Sequence, residues 1–357
     1  MACTYAISRE ESLSLKETLS TMSITDLRNR PLRDLRISLT DRCNFRCAYC
    51  MPKEVFGADY AFLSRQAVLN EQEILRLTKI FANLGVTKVR LTGGEPLLRA
   101  DLLSIVEQIA NIDGIEDIAM TTNGSRLTPE LAKKLKQAGL KRITISLDSL
   151  DDGIFQRLND VGCSVNTVLT AIDAAQHAGL SPVKINMVVM KGINDHEIEA
   201  MAAFGRDKGV IIRFIEFMDV GNSNHWNLDQ VVPAKEILAR VGARFPIQKT
   251  AALERGEVAN RYLYEDGLGE IGVIASVTAP FCGACTRARL SAEGRLFLCL
   301  FASQGFDLKS PLREGKGDDD IQKIIENLWH HRDDRYSELR MTQKSATRKV
   351  EMSHIGG

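Results

Sequence analysis

The chain has 357 residues, 44% hydrophobic and 26% charged, with a formal net charge of zero. That length suffices for one large domain plus a smaller one, or for a barrel with an appendage. An ordinary composition without net charge gives no reason to expect nucleic acid or an anionic membrane as partner, so an anionic ligand must be met by a local group of Arg and Lys.

Residues 1–30 carry Glu10, Glu11 and Glu17 and no continuous apolar core, and they read as an extension rather than a secretory or transit segment. Residues 35–40 alternate apolar and polar and predict a strand that leads into Cys43-Asn44-Phe45-Arg46-Cys47-Ala48-Tyr49-Cys50. Asn70 with Glu73 predicts the capped start of a helix over 71–84, stopped by Gly85. A strand over 86–92 ends in Gly93-Gly94-Glu95-Pro96, and a helix follows over 101–110. The strand 115–122 ends at Asn123-Gly124, and Thr128-Pro129 opens a helix that runs to Gly139. Strands over 142–148, 183–190 and 211–218 are separated by helices over 165–178 and 197–208.

Six strands alternating with helices mean a parallel sheet with right-handed crossovers. Periodicity does not choose between an open doubly wound sheet and three-quarters of a (βα)8 barrel. In both, chemistry gathers at the carboxyl ends of the strands, which is where the cysteine loop, the Gly-Gly turn and Ser146 to Asp148 fall.

The pattern changes after Met218. A short helix over 234–241 and short strands over 244–248, 262–265, 272–277, 289–291 and 296–300 predict a smaller α+β unit. Residues 313–320 read as a loop, 321–331 as a helix, and the chain from 333 onward as polar and poorly packed. The expected division is an extension (1–30), a barrel-like domain (31–220) and a C-terminal domain (221–357). No run of eighteen apolar residues predicts a membrane span.

The eight cysteines are Cys3, Cys43, Cys47, Cys50, Cys163, Cys282, Cys285 and Cys299. Six of them fall into two tight trios, which is metal-site spacing rather than a disulfide framework and fits a reducing cytoplasm. Cys43, Cys47 and Cys50 suit three ligands of a cubane iron–sulfur cluster with one iron left open. Zinc, a disulfide and thioredoxin-like chemistry compete. Zinc would want a fourth ligand near the loop, and His177 and His196 are far along the chain. A disulfide would strand one cysteine, and redox chemistry needs only one C-x-x-C. Cys282, Cys285 and Cys299 form the second trio, read as a second cluster with its own open iron against a structural zinc ribbon. The Arg287 and Arg289 side chains beside it suit a phosphate-bearing ligand. Arg36, Lys88, Arg90, Lys184 and Arg213 lie on predicted strands, where alternation could turn them inward. A buried charge of that kind needs a partner such as a triphosphate.

The first trio, with Tyr49 before its last cysteine, resembles the signature of radical S-adenosylmethionine (SAM) enzymes. Together with Cys282-Gly283-Ala284-Cys285, Cys299 and a terminal Gly356-Gly357, the chain from about Ile24 onward resembles the GTP 3',8-cyclase family of molybdenum-cofactor biosynthesis. The resemblance implies an α/β fold, a partial (βα)6 TIM-type barrel with a smaller C-terminal α+β domain. It also implies two [4Fe-4S] clusters, each on three cysteines, with SAM contacted by Tyr49, Gly94, Ser146 and Met218. It places GTP on Arg36, Arg90, Thr121, Lys184, Arg287, Thr286, Ala288 and Arg289, with Lys88 and Arg213 as secondary contacts. Arg36 and the Gly356-Gly357 tail are the implied catalytic elements. Implied partners are a flavodoxin- or ferredoxin-like electron donor, a downstream cyclic pyranopterin monophosphate synthase and a second copy of the chain. The competing readings are a radical SAM enzyme acting on a peptide or protein, and an iron–sulfur carrier or sensor.

Overall fold

The structure is a computed structural model and describes residues 23–340 and 348–356. Six parallel strands follow one another in space as they do in the chain: β1 (Asp34–Ser38), β2 (Lys88–Thr92), β3 (Asp117–Thr122), β4 (Arg142–Ser146), β5 (Val183–Val189) and β6 (Ile211–Glu216). A doubly wound sheet reverses its strand order at a switch point. This one does not, so it is of the barrel kind. The helices α1 (Glu71–Asn83), α2 (Leu102–Ala110) and α3 (Pro129–Gln137) form the first three crossovers. Two helices, α4 (Asp152–Asn159) and α5 (Val165–His177), separate β4 from β5, and α6 (Ile198–Lys208) leads to β6. The expected caps form: the Asn70 side chain accepts from the Glu73 backbone N–H while Glu73 accepts from that of Asn70, and Thr128 caps α3. The helix α4 had no counterpart among the predicted elements.

The C-terminal part extends this same sheet on both sides. After α7 (Ala234–Arg244), the strands β7 (Ile247–Lys249), β8 (Asn260–Tyr264) and β9 (Glu270–Ile274) form an antiparallel ribbon whose last member pairs parallel with β6. At the opposite edge β10 (Arg287–Leu290) pairs parallel with β1, followed by antiparallel β11 (Arg295–Phe297) and β12 (Phe306–Asp307). The result is one twelve-stranded sheet. The strand expected at 244–248 begins later, because Arg244 is still helical.

Helices α8 (Lys309–Arg313), α9 (Asp318–His330), α10 (Tyr336–Leu339) and α11 (Met352–Ile355) complete the described chain. The loop expected over 313–320 is shorter, because three aspartates fill the first turn of α9, where the helix dipole favours them. Among the described residues beyond 333 the chain is also better packed than its polarity suggests, with Arg340 and Ile355 both buried.

Strand alternation sorts the side chains. Leu35 and Ile37 of β1, Val89 and Leu91 of β2, Ile212 and Phe214 of β6, and Ala288 and Leu290 of β10 are buried in the main hydrophobic cluster. The intervening Arg36, Arg90, Arg213, Arg287 and Arg289 point the other way and line a cavity.

Candidate active site

Both thiol trios line that one cavity, and all seven cysteines among the described residues are free. The first loop is shaped by short local bonds. The Cys50 and Met51 N–H groups both donate to the Cys47 carbonyl, and the Phe45 N–H points at Cys43 Sγ from 3.4 Å. The Arg46 guanidinium clamps the loop through the Cys43 and Phe56 carbonyls, at 2.8 and 2.7 Å. Burial pushes the Cys43 thiol up to about 11, and burial with neighbouring negative charges pushes Cys47 and Cys50 up as well. Loading a metal group here therefore releases protons.

The Gly-Gly turn after β2 braces this loop. A Cβ on Gly94 would lie 2.2 Å from the Arg42 carbonyl oxygen, and Gly93 has a φ of +145°. The Gly94 and Glu95 N–H groups donate to the carbonyls of Thr40 and Arg42, each at 2.8 Å. Close approach by the chain's own backbone is thus enough to require glycine at both positions. Glu95 is buried and accepts from Thr122 Oγ1 and the Asn123 N–H, both at 2.7 Å, fixing the ends of β2 and β3 together. Tyr49 donates from its phenol to Asp148 Oδ2 at 2.7 Å, and Asp148 Oδ1 accepts from the Val188 N–H at 2.9 Å.

The second trio is differently charged. Burial would raise the Cys285 thiol, but Arg287 and Arg332 outweigh it and bring it to about 7. Burial pushes Cys299 up to about 12. Arg332 Nη2 lies 3.0 Å from Cys285 Sγ.

Between the trios runs a row of arginines. On adjacent strands Arg90, Arg36 and Arg289 are register partners. Like charges directly opposite on neighbouring strands repel, and burial compounds this. Arg36 is held well below the usual guanidinium range by burial and then by Arg289, Arg90 and Arg287. Burial likewise lowers Arg90 and Arg289 to about 10 and Arg213 to about 9. A polyanion between the strands would relieve all four.

Residues 37–205 match the radical SAM superfamily, and residues 210–338 match the family described as Molybdenum Cofactor Synthesis C. The GTP 3',8-cyclase of Acidothermus cellulolyticus is 49% identical to this chain, over 94% of this chain and 100% of that protein. The enzyme of the same name from Staphylococcus aureus strain Newman is 48% identical, over 94% and 99%. The chain belongs to the GTP 3',8-cyclase family. Its fold is shared with Streptococcus suis SuiB bound to S-adenosylmethionine, at a TM-score of 0.61 and 14% identity, over 96% of this chain and 76% of that one. This family membership carries SAM and iron–sulfur clusters as cofactors.

The residues fit those cofactors. One bare ion would need its ligands to meet at a point, and no three His, Cys, Asp or Glu side chains among the described residues do so. A cubane spreads its thiolates over separate irons and asks for wider spacing, which suits the three cysteines at each end of the cavity.

Of the residues implied by resemblance to the family, Tyr49, Gly94, Ser146, Met218, Arg36, Arg90, Thr121, Arg213, Arg287 and Arg289 line the cavity. Others do not reach it. Lys88 has the parity of Arg90 on β2 but is paired with the Glu254 carboxylate. Thr286 is buried at the start of β10, where its hydroxyl donates to Asp34. Ala288 alternates onto the hydrophobic face between Arg287 and Arg289. Lys184 shares the parity of the cavity residues Asn186 and Val188 on β5 but lies deeper, and burial followed by Arg213, Arg142 and Arg90 brings it down to about 7. The Gly356 carbonyl accepts from Arg289 Nη1, while Gly357 lies outside the described residues. Sequence reasoning missed Asp148 as the partner of Tyr49, the cavity-lining Asn186, whose buried Oδ1 has no partner, and Arg332. Asp148 was visible at a predicted strand end, whereas Arg332 left no local signal.

Proposed function

We propose that this chain is a radical SAM GTP 3',8-cyclase, a lyase that converts GTP to (8S)-3',8-cyclo-7,8-dihydroguanosine 5'-triphosphate in the first step of molybdenum-cofactor biosynthesis. The observation that carries this reading is the register row of Arg90, Arg36 and Arg289 set between two thiol trios in one cavity. When bound, SAM and the cluster on Cys43, Cys47 and Cys50 supply the radical chemistry that removes a hydrogen atom from the substrate's ribose.

The chain's own residues hold, orient and enclose. Tyr49, Gly94, Ser146 and Met218 seat SAM beside the first trio. Arg36, Arg90 and Arg289, with Arg213 and Arg287, grip the triphosphate through charge-assisted bonds. Thr121 Oγ1 accepts from Arg90 Nη1 at 3.1 Å and aims that guanidinium. The second trio, Cys282, Cys285 and Cys299, would hold the second cluster, which would offer the guanine base a docking point, and the row of arginines fixes how far the sugar can sit from the first trio. Keeping C3' and C8 of one nucleotide close together is most of the catalytic task. The Gly356 end of the tail, held by Arg289, narrows the cavity and helps to exclude water.

A flavodoxin- or ferredoxin-like electron donor, a downstream cyclic pyranopterin monophosphate synthase, a homodimer and a cytoplasmic setting belong to the same proposal. Among the described residues no helix is long and apolar enough to cross a membrane. The test is anaerobic reconstitution followed by measurement of 5'-deoxyadenosine release. GTP-dependent release with formation of the cyclised nucleotide is expected, and release indifferent to GTP would overturn the substrate assignment.

A further inference from the structure

We propose that Arg332 is a positioning residue of the second trio, whose guanidinium fixes Cys285 and holds the cluster there at a higher reduction potential than it would otherwise have. This rests on the reading of Cys282, Cys285 and Cys299 as cluster ligands.

Arg332 sits just past the C-cap of α9, its side chain 1% exposed. Its donors are spent on both ligand segments. Nη2 reaches Cys285 Sγ at 3.0 Å, Nη1 reaches the Cys285 carbonyl at 2.9 Å, and Nε reaches the carbonyl of Leu298, the residue before Cys299, at 3.1 Å. The group is itself held on the far side. Nη1 also donates to Asp26 Oδ2 at 3.0 Å, and the guanidinium lies 4.6 Å from the Trp329 ring centroid. The third ligand is tied to the same assembly. Arg30, fully buried, pairs with Asp26 at 2.6 Å and donates to the Cys282 carbonyl at 2.9 Å. Two buried arginines thus share the carboxylate of Asp26, and the other nearby acid, Asp334, stands 3.8 Å from Arg332 Nε and is partly exposed. The positive charge of Arg332 is left facing sulfur.

A cluster gains negative charge on reduction, so a cationic N–H donor at a ligand sulfur favours the reduced state, and hydrogen bonds to sulfur are among the main settings of cluster potential. A merely structural arginine would affect loading or stability and leave the potential where it was.

The experiment is an EPR-monitored redox titration of the full-length, anaerobically reconstituted protein, as wild type, Arg332→Gln and Arg332→Lys, with iron content measured in parallel. Arg332→Gln is expected to move the second centre to lower potential and leave the SAM-binding centre unmoved. Arg332→Lys, which keeps a charge but not the fork, is expected to give a smaller downward shift in the same centre. A fully loaded Arg332→Gln protein with both potentials unchanged would overturn the inference. If Arg332→Gln fails to load, Arg332→Lys decides: a shift confined to the second centre supports the inference, and the wild-type value overturns it. A wild-type protein with a single iron–sulfur centre would overturn the functional reading itself.

Discussion

The phenol of Tyr49 donates to the carboxylate of Asp148 across 2.7 Å, joining the first thiol loop to the end of β4. Burial raises the Asp148 carboxyl to about 6, against the pull of its bonds from Tyr49 and the Val188 N–H. Tyr49→Phe strips Oδ2 of that partner, at a cost of about 1–3 kcal/mol. SAM affinity is expected to fall roughly tenfold with both clusters retained, as read by equilibrium binding and iron analysis. A carboxyl raised in the fold weighs against stability once ionised, and that penalty fades as pH falls from about 6 toward its unfolded value. The variant should accordingly lose less stability at acidic than at neutral pH, measured by denaturant titration.

Lys184 gives a second pH signature. Its amine, brought down to about 7, is neutral in the free protein at slightly alkaline pH, whereas the unfolded chain holds the proton to about 10.4. Free-protein stability therefore rises with pH across that interval, because the unfolded state binds more protons there. A triphosphate bound on Arg90 and Arg213, whose charges repel this amine, acts on it through space and restores the proton. GTP binding at alkaline pH is expected to take up about one proton, seen by calorimetry in buffers of different ionisation enthalpy, and Lys184→Met should abolish the uptake.

Cys299→Ser removes one of the three ligands of the second trio. Loss of about half the iron with SAM binding kept is the expected result. Full iron content in that variant would show that the trio holds something else.

The tail is anchored at a distance from its tip. Asp219, directly after Met218, accepts from Tyr336 Oη at 2.6 Å, Arg340 Nε at 2.7 Å and Lys349 Nζ at 2.6 Å. Asp219→Ala leaves the buried Arg340 without that partner, and the loss of stability should be about 3–5 kcal/mol. Faster hydrogen exchange over residues 348–356 is expected, together with slower turnover.

The tip is constrained in another way. Gly356 has a φ of +71°, and a Cβ there would lie 2.3 Å from Thr92 Cγ2. Gly356→Ala should push the tail off β2 and lower turnover while GTP affinity holds within a few-fold, because the arginine row stays in place. Steady-state kinetics beside direct binding separates the two.

Much of this was legible in the chain. Alternation exposed Arg36, Arg90 and Arg213 as residues facing away from the hydrophobic side of their strands, since a period of two is a local property. Spacing exposed both trios for the same reason. What stayed hidden depends on contacts between distant segments. Nothing near Gly272 or Ala288 announces that β9 and β10 will pair with β6 and β1. Arg332 meets Cys285 only through the packing that follows α9, and Asp26, from the very start of the described chain, holds both Arg332 and Arg30. Lys88 shows the same limit: its place on a strand is local, but its pairing with Glu254 on a remote loop is not.

The placement of β9 and β10 has a consequence during synthesis. The six inner strands leave the ribosome with their two outermost members, β1 and β6, presenting unpaired backbone groups; β6 is not covered until β9 is complete at residue 274, and β1 not until β10 is complete at residue 290. Exposed edges of this kind invite pairing with other chains. A fragment ending after β6 would keep both edges bare for good, so the two halves of this polypeptide are poor candidates for separate expression and recombination.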